Sequence, residues 1–423
     1  MKFDAVSRLV QTPPMNSQLL DLFRAAVNAA DPLHCLPPHL DLDPSRPVWV
    51  FGAGKAAGRM AQVFEQQYAG AYQGLVVGPA DQNPGLTGIS YHAGTHPIPS
   101  QASCDAGNAL LRELDRVQPQ DQVIFLLSGG ASSLIATPPD RVALSELQNI
   151  TQSMLNGGAN IAELNAVRRC ISKVAGGRLA QACAAPITTL AISDVTGDVP
   201  ADIGSGPTVS NPTSNAHVQG LLDRFEIQPS AELREFLADQ SLQSRQADGG
   251  FRLIATPEQS LSIAQQQAEQ AGLNVLNLGA FIEGDANETA KVLAGITRQI
   301  HQYNRPVSRP ALILSGGETS VRVTGQGRGG RNVQFLMSLA ESLNGLSGVS
   351  AMACDTDGVD GADPIAGGWI DATSLSRADQ LGYPVRRAIE DNDGHGWFAA
   401  LGDSVVTGPT QTNVNDFRAI LVQ

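Results

Sequence analysis

Three glycine-rich turns carry the groups in this sequence that are best suited to bind an anion. Each follows a run of apolar residues, and the turns lie at Gly52–Gly58, Ser128–Ser133 and Ser315–Thr319. The apolar runs are typical of buried parallel strands, and glycine lets the backbone approach a ligand closely. Amides, hydroxyls and one lysine at strand ends predict a site for a small ligand with several negative charges.

Lys55 is the cation of the first turn. A lysine at the start of a helix opposes the helix macrodipole, so a bound anion would explain its position. We interpret Lys55 as a ligand-binding residue, and a solvated lysine is the alternative. The pattern Gly-x-Gly-x-x-Ala around it is not a P-loop. It does fit a dinucleotide fingerprint loosely, with Asp81 downstream as the carboxylate for a ribose.

Two clusters of cations accompany these turns. Arg328 and Arg331 lie in or just after a loop with four glycines among six residues, which leads into a predicted helix. Guanidinium groups and helix-start amides can neutralise the charge that develops in phosphoryl transfer. A disordered glycine linker is the alternative, which the flanking strand and helix disfavour. Arg168, Arg169 and Lys173 cluster on another predicted helix, where a solvated face is the alternative for at least one of them.

Two acidic segments follow predicted strands and are candidates for Mg²⁺ binding. Asp194 and Asp198 lie four residues apart in a turn that contains glycine, and Asp355 begins the segment Asp355–Asp363. Mg²⁺ prefers few protein oxygens together with substrate phosphates, which suits such turns. Asx turns that only shape a loop are the alternative. The second segment is not an EF-hand, because Gly358 stands at its fourth position instead of the sixth.

Length and composition are typical of a soluble enzyme with two or three domains. The chain has 423 residues, 42% of them hydrophobic, and a net charge of −13. This charge argues against nucleic acid or an anionic membrane as the main partner. Five scattered cysteines without a Cys-x-x-Cys pair are expected to be reduced thiols in a cytoplasmic protein. The sequence shows neither a signal peptide nor an apolar stretch of ~18 residues that would span a membrane.

Predicted strands and helices alternate, which indicates an α/β fold with a mainly parallel, doubly wound sheet. The polar segment Ala231–Gly250, rich in Gln and Ser, marks the predicted domain boundary. We expect a Rossmann-like domain over residues 1–240 and a smaller α/β domain over residues 250–423. Strands are predicted at 48–51, 74–77, 123–127, 188–192, 251–255, 275–278, 311–314 and 349–353. Helices are predicted at 16–30, 56–68, 104–116, 261–271, 286–303 and 332–343.

Eight segments make the chain resemble class II glycerate kinase (glycerate 2-kinase), the family with a C-terminal MOFRL domain. In the family's order from about Val48 to Leu421, they are GAGKAAGRMA, SGGASSL, NAVRRCISKVAGGRLA, ISDVTGDVPADIGSGPTVSNPT, ILSGGET, GRGGRNVQF, DTDGVDG and VTGPTQTNVND. The resemblance implies ATP- and Mg²⁺-dependent phosphorylation of D-glycerate to 2-phosphoglycerate. It also implies two α/β domains with the active site in the cleft between them. Similar proteins are often named hydroxypyruvate reductase and tied to tartrate or glyoxylate breakdown.

The resemblance also implies roles for individual residues. Lys55 matches an essential lysine, Arg331 the arginine that faces it, and Asp194 a third residue of the site. From the residues themselves, Asp194, Asp198 and Asp355 are the expected Mg²⁺ ligands. The expected substrate- and phosphate-binding residues are Gly54, Ser128, Gly129, Gly130, Ser132, Ser315, Gly316, Gly317, Glu318 and Arg328. The chain departs from the family pattern at Cys170, Ala175 and Gln334.

Two other functions remain open from the residues alone. One is an NAD(P)H-dependent hydroxypyruvate reductase built on Gly52–Ala57 and Asp81, which leaves the second Ser-Gly-Gly turn and the arginine-bearing loop unexplained. The other is an anion-binding regulator without turnover. We expect D-glycerate and a nucleotide as small-molecule partners, neither nucleic acid nor membrane, and leave a homodimer open.

Overall fold

The computed structural model describes residues 17–159, 161–239, 249–361 and 363–423. The chain divides into two compact units, residues 32–254 (the first unit) and residues 17–31 with 255–423 (the second unit). Part of the segment predicted as the boundary, residues 240–248, lies outside the described residues. Within the described residues, no helix is long and apolar enough to cross a membrane.

The first unit alternates strands with helices, as the sequence predicts, but its sheet also includes the strand at 251–255 that the sequence placed in the second domain. Its strands are β1 Val48–Ala53, β2 Tyr72–Pro79, β3 Ile89–Gly94, β4 Gln122–Leu127, β5 Ile187–Ile192 and β6 Phe251–Ala255. Its helices are α2 Pro32–Cys35, α3 Ala57–Gln67, α4 Gln101–Leu114, α5 Ala131–Leu134, α6 Leu144–Asn156, α7 Ile161–Cys170, α8 Arg178–Ala182, α9 Asn215–Arg224 and α10 Ala231–Ala238. Short 3₁₀ turns lie at Pro37–His39, Ala80–Gln82 and Ile203–Ser205.

The sheet of the first unit has the order β3-β2-β1-β4-β5-β6, and β1 to β5 pair in parallel. Strand β1 is buried along its whole length, as expected for a central parallel strand. This order reverses direction between β1 and β4. In open α/β sheets, ligands bind at such a reversal, outside the carboxyl ends of the strands. The fold therefore directs attention to the turns after β1 and β4, which are the first two glycine-rich turns.

The second unit carries a second α/β arrangement. Its strands are β7 Asn274–Asn277, β8 Gly284–Asp285, β9 Ala311–Ser315, β10 Thr319–Ser320, β11 Val349–Asp355, β12 Gly367–Asp371, β13 Ser404–Val405 and β14 Asp416–Val422. Its helices are α1 Ser17–Ala29, α11 Pro257–Gln270, α12 Ala286–Tyr303, α13 Arg331–Leu343, α14 Ser374–Gln380, α15 Val385–Asp391 and α16 Gly394–Leu401.

The main sheet of the second unit is mixed, and this corrects the expectation of parallel strand ends. Its order is β13-β12-β11-β14-β9-β7, with β14 antiparallel to both β9 and β11. Because β14 runs against both neighbours, its first residue lies at the same edge as the last residues of β9 and β11. Asp355 pairs with Asp416 there, and Ser315 pairs with Arg418. This edge holds the third glycine-rich turn.

Helix α1 belongs to the second unit, whereas the sequence placed it in the first domain. Its apolar face packs with α11 and with one face of the mixed sheet, through residues such as Phe23, Leu261 and Phe417. The rings of Phe23 and Phe417 lie 5.6 Å apart. The opposite face of the sheet packs against α12, α13, α15 and α16. Both faces are thus buried, which explains the nearly continuous apolar runs of β9, β11 and β14.

Candidate active site

The turns after β1 and β4 are bonded to one another. Lys55 N donates to Gly129 O at 2.8 Å, and Ser128 N donates to Ala53 O at 3.1 Å. The Ser128 hydroxyl accepts a hydrogen bond from Ala56 N at 2.9 Å, at the start of α3. The predicted residues Lys55 and Ser128 are therefore held together at the reversal of the strand order, and the Ser128 hydroxyl is used to hold one turn against the other.

Gly129 and Gly130 must be glycine because other side chains lie too close to the backbone there for a Cβ to fit without strain. A Cβ on Gly129 would lie 1.6 Å from Asp194 Oδ2, so this carboxylate packs directly on the turn. Gly130 has φ +80°, and a Cβ there would lie 3.3 Å from Lys55 Cγ and 3.0 Å from the His96 ring. The structure thus brings Lys55, Asp194 and the first Ser-Gly-Gly turn together. It adds His96, which stands alone in a loop and gives no pattern in the sequence.

Asp198 has one feature expected of a residue that binds a cation. Its Oδ1 is buried without a hydrogen-bond partner among the described residues. A buried carboxylate oxygen without a donor is costly unless something else binds it. The described residues contain no cluster of three or more metal-ligating side chains. Two carboxylates from one turn still suit Mg²⁺, which takes its other ligands from phosphates and water.

Arg331, in the second unit, is surrounded by carboxylates. Its Nε donates to Asp416 Oδ1 at 2.8 Å, Nη1 to Glu318 Oε1 at 2.9 Å and Nη2 to Asp355 Oδ2 at 2.8 Å. Burial opposes its charge, but the three carboxylates outweigh this and raise the pKa of Arg331. Asp355, predicted as a Mg²⁺ ligand, is thus an ion-pair partner of Arg331. Its other oxygen accepts from Asp357 N at 3.0 Å.

The first amides of α13, predicted to bind phosphate, are bonded to Asp360. Its carboxylate accepts from Asn332 N and Val333 N, both at 3.0 Å. A carboxylate is favourable at a helix N-terminus. Even so, burial raises the pKa of Asp360 to about 6. The protein itself therefore supplies the anion that the sequence led us to expect from a ligand.

The glycine loop before α13 packs against the segment after α15. Gly325 N donates to Asn392 Oδ1 at 3.0 Å, and Gly327 N donates to Asp391 O at 2.8 Å. A Cβ on Gly325 or Gly327 would lie within 2.2–2.6 Å of backbone or side-chain atoms of residues 391 and 393. These glycines are explained by close packing. Arg328 is 71% exposed and pairs with Asp363 at 3.2 Å.

The turn Ser315–Glu318 is held by a buried arginine that sequence reasoning missed. Arg418 Nη1 donates to Gly316 O at 2.8 Å, and Nη2 donates to Asp416 and Thr319. Gly317 has φ +94°, and a Cβ there would lie 2.3 Å from Ile282 O. The Ser315 hydroxyl is buried and has no partner among the described residues. Arg418 lies in an apolar strand, FRAILV, so its contacts leave no local signal.

The cation cluster on α7 and the residues after it is largely structural. Arg169 is buried and pairs with Asp202. Lys173 Nζ reaches Asp140 Oδ1 at 2.8 Å on the surface. Arg178 Nη1 donates to Arg169 O at 2.6 Å and to Ala175 O at 3.2 Å. Arg168 is the exception, because no hydrogen bond or ion pair joins it to the described residues.

The three departures from the family pattern are accommodated locally. The Cys170 thiol is buried, which raises its pKa, and it accepts a hydrogen bond from Asn211 Nδ2 at 3.1 Å. Gln334 Nε2 donates to Asn287 Oδ1 at 3.1 Å and to Ile389 O at 3.2 Å. Ala175 lines a cavity in the first unit.

Comparison with known proteins gives two family matches and relatives that span nearly the whole chain. "Domain of unknown function (DUF4147)" matches residues 18–238, and "MOFRL family" matches residues 311–416. A "putative hydroxypyruvate reductase" of Agrobacterium vitis is 39% identical over 95% of this chain and 93% of the relative. The D-glycerate 2-kinase of Thermotoga maritima is 32% identical over 90% and 91%. The human glycerate kinase is 27% identical over 99% and 95%.

A solved structure agrees with these relatives. The crystal structure of glycerate kinase from Thermotoga maritima superposes with a TM-score of 0.87 at 30% identity, covering 97% of this chain and 99% of that one. Fold, both family segments and full-length relatives point to one group of proteins. The chain belongs to the MOFRL family of glycerate 2-kinases.

Proposed function

We propose that the protein transfers the γ-phosphoryl group of ATP to the C2 hydroxyl of D-glycerate and forms 2-phosphoglycerate and ADP. The observation that carries this proposal is the assembly of Lys55, Gly129, Gly130 and Asp194 at the reversal of the strand order. A cation, a strand-end glycine turn and a carboxylate are among the groups that enzymes of phosphoryl transfer use. The relatives named glycerate kinase support the acceptor.

The residues present fit a Mg²⁺ ion at Asp194 and Asp198. Mg²⁺ bound there would neutralise charge on the nucleotide phosphates. Lys55 would stabilise charge on the phosphoryl group as it transfers. Gly129 would let the Asp194 carboxylate lie directly against the turn after β4, beside the proposed phosphate site. Asp194 and His96 are the groups nearest this turn that could accept the hydroxyl proton.

Each of the three nitrogens of Arg331 already donates one N–H to a carboxylate, so a phosphate would compete with these carboxylates for the guanidinium. Glu318 is 53% exposed, whereas Asp355 and Asp416 are buried. Displacing Glu318 costs least, because an exposed ion pair contributes little. We propose that an incoming anion would replace Glu318 on Nη1, so Arg331 remains a candidate catalytic residue. Arg328 pairs with Asp363 and is not bonded to these carboxylates.

An NAD(P)H-dependent reductase is the second candidate, favoured by the relatives of that name and by a strand order found in dinucleotide-binding sheets. One contact argues against it. The amide of Ala56, at the helix start where a dinucleotide's diphosphate would bind, is bonded to Ser128. Asp81 is exposed in a short 3₁₀ turn.

The two functions are separated by one pair of assays on the purified protein. With ATP, Mg²⁺ and D-glycerate, product measured through enolase and pyruvate kinase without phosphoglycerate mutase should report 2-phosphoglycerate. With NADH or NADPH and hydroxypyruvate, absorbance at the reduced nicotinamide band should stay constant. Oxidation of the nicotinamide without any glycerate-dependent ADP would overturn the kinase proposal.

A further inference from the structure

A cavity of about 590 Å³ lies in the first unit beside the turn after β4. Ser132 and Ser133, which directly follow Gly130, line one side, and residues of α6 and α7 line the other. Ser133 donates to Pro97 O at 2.9 Å, and Pro97 follows the His96 whose ring packs near Gly130. The cavity is therefore adjacent to the turn after β4, which is part of the proposed phosphoryl site.

Arg168 is the only charged residue among the described residues that line this cavity. Most of the other lining residues are apolar, among them Ile135, Leu147 and Val174. Burial lowers the pKa of Arg168, and no acidic side chain offsets this effect. A half-buried guanidinium without a protein partner loses hydration and gains nothing in return. Arg169 and Lys173, its neighbours in sequence, both have carboxylate partners.

Ser132 adds a hydrogen-bond donor to the same cavity. Its oxygen accepts from the Ser205 hydroxyl at 2.9 Å. A hydroxyl has one proton of its own to donate, and no acceptor for the Ser132 proton is found among the described residues. A planar guanidinium and a hydroxyl facing one space match the two oxygens of a carboxylate. A triphosphate, with about four negative charges, would be poorly matched by a single cation.

We propose that Arg168 binds the carboxylate of the acceptor acid in this cavity, and that the apolar wall admits 2-hydroxy acids longer than glycerate. This inference rests on the proposed function and assigns its acid-binding subsite. The volume supports the second part, because pockets of roughly 300–1,000 Å³ hold ligands much larger than a three-carbon acid. Ile98 and Leu155, which line the cavity, are 69% and 50% exposed, so it opens to solvent along apolar side chains.

Arg168→Gln tests the carboxylate contact. We expect the KM for D-glycerate to rise about 10- to 100-fold, as for the loss of a charge-assisted hydrogen-bond pair, while the KM for ATP stays unchanged. Arg168→Lys should restore part of the loss. Lys173→Gln, which removes a neighbouring surface cation, is the matched control and should behave as wild type. An unchanged KM for D-glycerate in Arg168→Gln, or an increase in the KM for ATP instead, would overturn the assignment.

Thermal unfolding distinguishes a loss of D-glycerate binding from a loss of stability, and it does so without requiring kinase activity. Free Arg168→Gln should melt close to wild type, because no hydrogen bond or ion pair of Arg168 within the described residues is lost. D-glycerate should raise the Tm of wild type but not of Arg168→Gln, and this holds even if no turnover is found. A wild type stabilised by D-glycerate without kinase activity would contradict the proposed function alone. Equal stabilisation of both proteins would contradict the role of Arg168.

The length of the acid is tested with 2-hydroxybutyrate and 2-hydroxy-4-methylpentanoate as probes. Both should stabilise the wild type against heat. Thr151→Phe, which places a ring on a part of α6 that lines the cavity, should abolish stabilisation by the longer acid and retain that by D-glycerate. Thr151→Ala is the control and should bind both. Failure of the wild type to bind either longer acid would refute the proposed breadth of the subsite.

Discussion

The two units place an arginine in opposite electrostatic surroundings. In the first unit, Arg168 lines a cavity and has no partner among the described residues, while Lys55 lies against a glycine turn. In the second unit, Arg331 has three carboxylate partners and the start of α13 is bonded to Asp360. The charge of Arg168 is left for a ligand, whereas the charge of Arg331 is neutralised within the protein. Similar motifs in sequence thus support different physical roles.

Lys55→Ala tests the first side of this comparison most strongly. If Lys55 stabilises the transferring phosphoryl group, kcat should fall about 10³-fold or more, with a Tm close to wild type. Steady-state kinetics and a melting curve check both expectations. Lys173→Ala, at a surface lysine paired with Asp140, should retain wild-type kcat. Near-normal turnover of Lys55→Ala would remove the distinction between the two units.

Arg331→Met tests whether Arg331 neutralises the buried carboxylates of the second unit, and the measured quantity is the free energy of unfolding. The change leaves the buried carboxylates Asp355 and Asp416 without their cation, so unfolding free energy should fall by about 3–5 kcal/mol. Urea denaturation measures this. Arg386→Met is the matched control, because Arg386 and Glu390 form an exposed pair at 3.4 Å and should contribute at most ~0.5 kcal/mol. Equal stabilities of the two variants would show that the carboxylates do not depend on Arg331.

Asp360→Asn tests whether the buried carboxylate at the start of α13 makes the stability of the protein depend on pH. The pKa of Asp360 is raised by burial from 3.8 to about 6. Between these values the folded protein holds a proton that the unfolded chain has lost, so stability falls as the pH rises. At ~1.4 kcal/mol for each pKa unit, the fall is about 3 kcal/mol. The Asn variant lacks this proton, so its unfolding free energy should be flatter between pH 4 and 6. Parallel curves for the two proteins would contradict the assignment.

The sequence predicts the first unit well because its signals are local. Strand β1 and the turn at Lys55 are contiguous, and the parallel order places the turn after β4 next to them. The prediction of helix α13 from residue 332 is confirmed to within one residue. These features depend on apolar runs and glycines that lie within a few positions of one another.

The contacts of Arg331 and of the start of α13 in the second unit are not predicted from the sequence, because their partners are distant along the chain. Asp416 lies 85 residues from Arg331, and Asp360 lies 28 residues from Asn332. No local pattern links a carboxylate to an arginine across such separations. The many aspartates in Asp355–Asp363 indicate that this segment binds positively charged or hydrogen-bond-donating groups. The sequence does not show that these groups are the guanidinium of Arg331 and the first amides of α13.

The position of α1 and β14 has a consequence for how the protein is made. Helix α1 is synthesised early, but it packs on α11 and Phe417, which follow more than two hundred residues later. Strand β14 is synthesised after every other strand of the mixed sheet, yet it lies inside that sheet, between β11 and β9. At roughly 5–20 residues per second, the apolar face of α1 waits at least ten seconds for its partners. The first unit, by contrast, has every strand before residue 256. Helix α1 precedes the first unit in the chain but belongs to the second unit, so its apolar face lacks its native partners while the first unit is synthesised.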